Sequence, residues 1–324
     1  MQYNLIGSSY SYKKTIIFFS IGFSILVASG FYGFGYDWYE AYNRPNLQWG
    51  LWHRDRLGFA VSTLTIYNIH FGIYITSLLL ALSTGILVET FFKISNIKSL
   101  FFFIIIFIGI IHTWPIIMST SNAMRQGLSM AFIFLMFSAI VRNNKKLFFI
   151  YIIISTFLHT AGPLYLFIYG MMLILLKFNT SIKKKNHLLF VYLFLPFIVC
   201  LGIILSFTIF SPLNSETLVI GKDFSKIFVF IGFIYIFLFI NYFSKTIKNP
   251  IYIFLFIFSF ISLTLFFYGF NWEYERLNMM MTIPYIMVIG SFIKGNYFKL
   301  IFLILTFGLL LLLTFYTGMY ASLK

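Results

Sequence analysis

Apolar runs of about 20 residues recur from one end of this 324-residue chain to the other, and they restrict what it can fold into. A run of that length crosses the roughly 30 Å hydrocarbon core of a bilayer as one α-helix. Only 10% of the residues are charged, whereas a soluble domain carries about 25%. The sequence therefore predicts an all-α, polytopic integral membrane protein, with one transmembrane domain over residues 1–324 and no soluble domain.

The apolar runs predict eleven membrane-spanning helices. Residues 57–68 are ambiguous, and a partial or interfacial helix followed by a span is preferred there over one continuous helix. The expected bounds of the spans are 15–33, 69–92, 99–117, 125–141, 147–159, 161–176, 188–210, 227–243, 251–269, 277–293 and 300–319.

Lysine and arginine orient these spans, because cytoplasmic loops carry an excess of both. With the N-terminus in the cytoplasm, the inner loops hold 15 cationic residues and one acid, Glu89, for a net charge of +14. The outer loops hold eight cationic residues and seven acids, for a net charge of +1. The C-terminus is then outside, and the outer-face loops are 34–56, 118–124, 211–226 and 270–276. Since topology accounts for the overall charge of +15, no nucleic-acid partner is expected.

The first outer loop combines acids with aromatic side chains. Asp37 and Asp55 lie among tryptophans and tyrosines that include Trp38 and Tyr42. Aromatic rings beside carboxylates suit carbohydrate, because sugar faces stack on rings while the acids accept hydroxyl protons. The alternative is an interfacial belt of Trp and Tyr with solvated charges.

A second cluster opens the predicted span at 125–141. Asn122, Arg125, Gln126 and Ser129 are spaced so that all four share one helical face. Residues 119–122 are N-cap candidates, and a helix N-terminus beside an arginine suits an anion such as a diphosphate. The alternative is an arginine that snorkels to the interface.

Two further clusters lie at other predicted span ends. His159 follows Ser155 by one turn. It could act as a base, as a hydrogen-bond donor to phosphate, or only as a hydrogen-bonded residue that fills space. Glu273, Glu275 and Arg276 precede a late span, where they form either a site or a salt-bridged helix start.

Several kinds of chemistry have no sequence signal here. The chain has no Walker loop, no metal-ligand spacing of His and Cys, and no G-x-S-x-G motif. No metal and no cofactor are therefore expected. Charges deep within the spans, which an ion-coupled transporter needs, are nearly missing, so transport is the weaker hypothesis.

The order of these motifs resembles the EpsG-like, Wzy-type polysaccharide polymerases of bacteria. An outer D-x-x-x-x-Y loop is followed by an acid before Gly-Phe, then by MRQGLSMAF and FLHTAGPLYL, and finally by an arginine before a late span. The likeness is strongest over residues 30–180. The family commonly has Glu where this chain has Asp55. The residues that carry the likeness are Asp37, Tyr42, Asp55, Gly58, Phe59, Arg125, His159 and Arg276.

The resemblance implies an enzyme that joins undecaprenyl-diphosphate-linked oligosaccharide units at the outer face of the bacterial cytoplasmic membrane. It implies an architecture similar to that of membrane glycosyltransferases with lipid-phosphate donors. Arg125 and Arg276, with Asn122 and Gln126, would bind the diphosphate. Asp37 ranks first as base, before His159, Glu273 and Glu275, and Trp38, Tyr42 and Asp55 would face the glycan. Membrane lipid is a further partner, and a chain-length regulator protein is left open.

Three alternatives use the same membrane setting. An O-antigen ligase shares the donor but usually has a large late outer loop, and here the loop near 211–226 is short. A flippase or transporter for lipid-linked glycan would form no bond. An O-acyltransferase would depend on an acyl donor.

Overall fold

The computed structural model describes residues 12–33, 56–66, 69–121, 123–142, 144–159, 162–182, 184–210, 222–267 and 271–316. Apart from one short strand pair, the regular structure of these residues is helical, which confirms the predicted all-α fold class. The helices are α1 (Lys13–Ala28), α2 (Arg56–Ser62), α3 (Phe71–Ile94), α4 (Leu100–Ile111), α5 (Trp114–Ser121), α6 (Met124–Val141), α7 (Lys145–Leu158), α8 (Gly162–Ser181), α9 (Lys185–Phe210), α10 (Lys222–Asn241), α11 (Phe243–Thr246), α12 (Pro250–Phe267), α13 (Asn271–Phe292) and α14 (Asn296–Tyr316).

The ambiguous stretch before the second predicted span contains a short helix and a reversal of the chain. Helix α2 ends at Ser62, and strands β1 (Thr65–Ile66) and β2 (Ile69–His70) pair antiparallel directly before α3. The structure thus confirms a partial helix followed by a separate long helix, and not one continuous helix. The reversal separates α2 from α3 and allows the short helix to pack back against the bundle.

Each predicted span coincides with described helical residues, but the one at 99–117 is broken. Helices α4 and α5 meet at a bend of 57°, with His112 and Thr113 between them. Pro115 explains the break, because it has no N–H to donate to the carbonyl one turn back. The Trp114 N–H instead donates to Oγ1 of Thr314 in α14 over 3.1 Å. The prediction of one continuous helix there is wrong, and α5 is a separate element of eight residues.

Helix length and hydropathy support a membrane protein without fixing the number of spans. Among the described residues, six helices are long and apolar enough to cross a bilayer, or seven if α4 and α5 form one broken span. Two shorter apolar helices cover Lys146–Leu158 and Val229–Asn241. The count of eleven and the orientation across the membrane therefore stay predictions.

The chain divides into two compact units, of which the first contains α1 to α7 and α14. Helix α6 lies at its centre, packed mainly against α3 and α7, and almost all of its residues are buried. Large apolar side chains such as Phe18, Phe101 and Leu305 are exposed on α1, α4 and α14. An apolar outer surface around a buried central helix suits a lipid environment.

The second unit covers Leu164–Phe292, and its polar groups are paired within an apolar core. The Tyr235 hydroxyl donates to the carbonyl oxygen of Tyr252 over 2.9 Å. The hydroxyls of Ser259 and Tyr285 lie 2.6 Å apart. Such pairing removes the cost of polar groups away from water. The prediction of a single transmembrane domain stays a prediction.

Candidate functional site

Helix α6 begins with the arginine that the sequence singles out. Arg125 and Gln126 lie in its first turn, where Arg125 is 9% exposed and Gln126 is 1% exposed. Ser129, one turn further along, is fully buried. An arginine enclosed to this degree favours the inward-facing interpretation over a side chain that snorkels to the interface.

The start of α6 differs from the sequence prediction. Its N-cap is Ala123, and no side chain in the described residues caps it. The N-cap prediction for Ser119, Thr120 and Ser121 is wrong, because these residues form the last turn of α5, which therefore includes most of the predicted loop 118–124. The Thr120 hydroxyl is already used there, since it donates to the carbonyl oxygen of Ile117 over 2.8 Å. Asn122, the fourth candidate, lies outside the described residues.

Three helices meet at Gly127, two residues after Arg125. A Cβ atom at this position would overlap the carbonyl oxygen of Ser119 in α5, and would lie 3.2 Å from Cγ2 of Thr76 in α3. Only glycine permits so close an approach. The glycine therefore sets the ends of α3 and α5 directly against the first turn that carries Arg125.

A pair of serines joins the arginine-bearing helix to the histidine-bearing one. The hydroxyls of Ser129 in α6 and Ser155 in α7 lie 2.6 Å apart, and each also lies within 3.4 Å of the other residue's carbonyl oxygen. Both side chains are fully buried. Arg125 is one turn before Ser129, and His159 is one turn after Ser155. Because α6 and α7 run antiparallel through a short connection, Arg125 and His159 belong to the same end of this helix pair.

His159 ends α7 with an extended backbone and is 6% exposed. The next helix starts three residues later, where the Gly162 N–H donates to the His159 carbonyl oxygen over 2.8 Å. Gly58 of α2 packs against the neighbouring carbonyl of Leu158 so closely that a Cβ atom there would overlap it. Helix α2, which follows the first predicted outer loop, is thus fixed beside the histidine.

The structure describes only part of the predicted site. Asp37, Trp38, Tyr42 and Asp55, like Asn122, lie outside the described residues.

The late acidic cluster lies in the second unit. Helix α13 begins at Asn271, so Glu273, Glu275 and Arg276 are in its first two turns and do not precede it. Arg276 is half-buried, whereas the side chains of both glutamates are outside the described part. Asn278, two residues after Arg276, is 2% exposed. This part of the second unit therefore carries a polar helix start of its own.

Sequence reasoning missed three buried hydroxyls in the helices that pack against α6. The hydroxyls of Ser62, Thr76 and Ser119 are buried and have no hydrogen-bond partner within the described part of the chain. Ser62 and Thr76 gave no sequence signal, because serine and threonine in apolar helices usually bond to their own backbone. Ser119 was interpreted only as a cap.

Metal binding has no support among the described residues. No group of three or more His, Cys, Asp or Glu side chains there is placed to hold a metal ion. The expectation of a metal-free and cofactor-free protein stays a prediction.

The fold and the cluster together define a polytopic helical membrane protein with an enclosed arginine and a histidine at one end of a central helix pair. The chain belongs to the EpsG family, whose model matches residues 14–323, nearly its whole length. No curated protein and no solved structure matches the chain. Membership confirms the resemblance and supports a polysaccharide-polymerase type of function, with a glycosyltransferase-like polymerase as the type of enzyme.

Proposed function

We propose that this protein is a Wzy-type polymerase, which joins oligosaccharide repeat units carried on undecaprenyl diphosphate at the outer face of the bacterial cytoplasmic membrane. The observation that carries the proposal is the enclosed Arg125 at the start of α6, held beside the His159 end of α7 by the Ser129–Ser155 hydroxyl pair. EpsG family membership over residues 14–323 supports the same type of function.

Arg125 would hold the diphosphate leaving group. Its guanidinium fork matches phosphate oxygens, and the positive end of the α6 dipole favours the same negative charge. No described side chain caps this helix start. Gln126 and Asn122 are proposed as additional donors, and Arg276 as a further diphosphate-binding arginine.

The proposed reaction is a glycosyl transfer by direct displacement. A hydroxyl oxygen at the non-reducing end of the acceptor glycan attacks the anomeric carbon of the donor, and a new glycosidic bond forms. The bond between that carbon and the diphosphate oxygen breaks, and the electron pair leaves with undecaprenyl diphosphate. The hydroxyl proton goes to a base, and the anomeric configuration inverts. Arginine stabilises the charge that develops on the leaving group.

Four residues are candidates for the base. Asp37 is ranked first, because an early outer-loop acid has that role in similar enzymes. His159, Glu273 and Glu275 are the others. His159 is the one whose side chain the structure describes, and it follows Ser155, which contacts Ser129 of α6, by one turn. Trp38, Tyr42 and Asp55 are proposed to contact the glycan.

The lipid-linked donor is proposed to reach the site from within the membrane. The donor's prenyl chain stays among the acyl chains, so the donor enters laterally between helices with its diphosphate at headgroup level. The protein is proposed to be a multi-pass protein of the inner membrane, with a chain-length regulator protein as a partner.

Purified protein in lipid nanodiscs, incubated with a lipid-linked repeat unit, tests the proposal directly. We expect a ladder of products on a gel, with His159→Ala giving a partial loss of chain extension. Movement of labelled lipid-linked glycan across liposomes without any new bond would contradict polymerisation and favour a flippase. Transfer that needs a lipid A core acceptor would favour an O-antigen ligase.

A further inference from the structure

Five buried hydroxyls in the first unit have no hydrogen-bond partner among the described residues, and two of them belong to Ser20 in α1 and Ser95 after α3. The other three belong to Ser62 at the end of α2, Thr76 in α3 and Ser119 in the last turn of α5, and these residues are 0% exposed. Buried polar groups in proteins are nearly always hydrogen-bonded, because an unsatisfied one is destabilising. The three hydroxyls in α2, α3 and α5 therefore need an explanation.

Thr76 and Ser119 do not make the hydrogen bond to their own helix that such hydroxyls usually make. Serine and threonine in a helix commonly donate to the carbonyl oxygen three or four residues back. Ser77, the neighbour of Thr76, does so to Ile73 over 2.7 Å, and Thr120, the neighbour of Ser119, does so to Ile117 over 2.8 Å. The same two helices thus offer this bond and satisfy the adjacent side chain, while Thr76 and Ser119 do not make it.

The three residues lie in α2, α3 and α5, all of which pack against α6. The Cγ2 methyl group of Thr76 and the backbone carbonyl oxygen of Ser119 both lie against the position of Gly127, in the first turn of α6. Gly72, one turn before Thr76 on α3, approaches the carbonyl of Ser62 so closely that a Cβ atom would overlap it. The three hydroxyls are therefore contributed by α2, α3 and α5 where these elements converge on α6.

We propose that Ser62, Thr76 and Ser119 are additional binding residues of the Arg125 site, and that they donate hydrogen bonds to the phosphate oxygens of the lipid diphosphate. This inference rests on the proposed function, because it assigns the ligand to the same site. A diphosphate presents more acceptor oxygens than one arginine can satisfy, and those oxygens accept without donating. Neutral hydroxyls match them without adding a charge that would itself need burial.

The hydroxyls are enclosed in the present arrangement, so binding requires movement of a neighbouring element. Helix α5 is suited to this, because it has only eight residues and is separated from α4 by a 57° bend. A shift of α5 against α6 would open the space between Ser119 and Gly127 without bending a long helix. Bound phosphate would then replace the packing contacts that now cover the three oxygens.

The test separates affinity from stability, using farnesyl diphosphate as a short-chain probe for purified protein in nanodiscs. Thr76→Val and Ser119→Ala each remove one hydroxyl with little change in shape. We expect each to weaken probe binding by about tenfold, which is the size of one hydrogen bond to a charged group. The same variants should raise Tm in the absence of probe, because an unsatisfied buried hydroxyl has been removed.

Ser95→Ala is the matched control. The Ser95 hydroxyl is also buried without a partner in the described part, but Ser95 is the C-cap residue at the far end of α3, roughly 28 Å from Thr76 at 1.5 Å per residue. Its removal should raise Tm and leave probe affinity unchanged. Thr76→Ser keeps the hydroxyl and should retain wild-type affinity.

Two results overturn the inference in distinguishable ways. Equal probe affinity in wild type, Thr76→Val and Ser119→Ala would show that the hydroxyls bind no phosphate, while the Arg125 role would stand. A wild-type protein that binds no diphosphate probe would overturn both this inference and the diphosphate role of Arg125.

Discussion

The hydroxyls of Ser129 and Ser155 lie 2.6 Å apart and join α6 to α7 one turn below Arg125 and His159. The contact is doubled by the backbone, since each residue's carbonyl oxygen lies within 3.4 Å of the other hydroxyl. A hydrogen-bonded pair between neighbouring helices in an apolar environment contributes about 0.6 to 2 kcal/mol. Its larger effect is geometric, because it fixes the register of the two helices that carry the candidate site.

A double-mutant cycle tests that geometric effect. Ser155→Ala should reduce chain extension in the wild-type background, because His159 loses its fixed position relative to Arg125. In a His159→Ala background, Ser155→Ala should have almost no further effect on the ladder, since there is no longer a histidine to position. If Ser155→Ala reduced activity by the same factor in both backgrounds, the hydroxyl pair would be only a packing contact.

Cysteines in place of the two serines test their proximity without any activity. The chain has one native cysteine, Cys200, so Cys200→Ala gives a cysteine-free background. In that background, Ser129→Cys with Ser155→Cys should form a disulfide under mild oxidation, measured as protection from a thiol-reactive polyethylene glycol. Each single cysteine variant serves as the control and should stay fully reactive after denaturation. Full labelling of the oxidised pair would contradict the contact.

Gly127→Ala should destabilise the first unit, because its methyl group would overlap the Ser119 carbonyl oxygen. Overpacking of this kind costs about 1–3 kcal/mol and should appear as a lower Tm. Gly170→Ala in α8 is the control, since no described atom lies within 4 Å of a Cβ there. That variant should be neutral or slightly stabilising, because alanine is the better helix former. An unchanged Tm in Gly127→Ala would contradict the close approach of α5.

Thr314→Val should weaken the junction between α4 and α5. The Thr314 hydroxyl accepts the Trp114 N–H that the broken helix leaves available, and its loss should cost about 1 kcal/mol. Thr306→Val is the control on the same helix, because its hydroxyl donates within the helix, to the Phe302 carbonyl oxygen one turn back. Thermal unfolding in detergent measures both. Equal shifts in Tm for the two variants would show that the bond to Trp114 has no special role.

The helices themselves could be predicted closely from the sequence. Apolar runs place α3 and α6 within two residues of their described ends, since hydrocarbon thickness and backbone satisfaction leave a helix as the only local solution. The break at His112 and Thr113 was missed, although Pro115 signals it, because an apolar run looks continuous whether or not its helix bends. The cap at Ala123 was missed because polar residues that resemble caps are helical in α5.

The site was predictable along each helix and not between helices. Helical spacing puts Arg125 one turn from Ser129 and Ser155 one turn from His159, but periodicity does not say which faces meet. The burial of the unpartnered hydroxyls of Ser62 and Thr76 depends on the close approach of α2 and α3, which the sequence signals only through Gly72. Contacts of this kind follow from packing, and a single sequence does not encode them in a form that pattern analysis recovers.

The role of Arg125 is tested most directly by comparing the arginines at the two ends of α6 in the polymerisation assay. Arg125 is enclosed at the start of α6, whereas Arg142 is exposed at its end. Arg125→Ala should abolish chain extension at an unchanged protein level, and Arg142→Ala should leave the ladder intact. A full-length ladder from Arg125→Ala would contradict the role of this arginine in holding the lipid diphosphate.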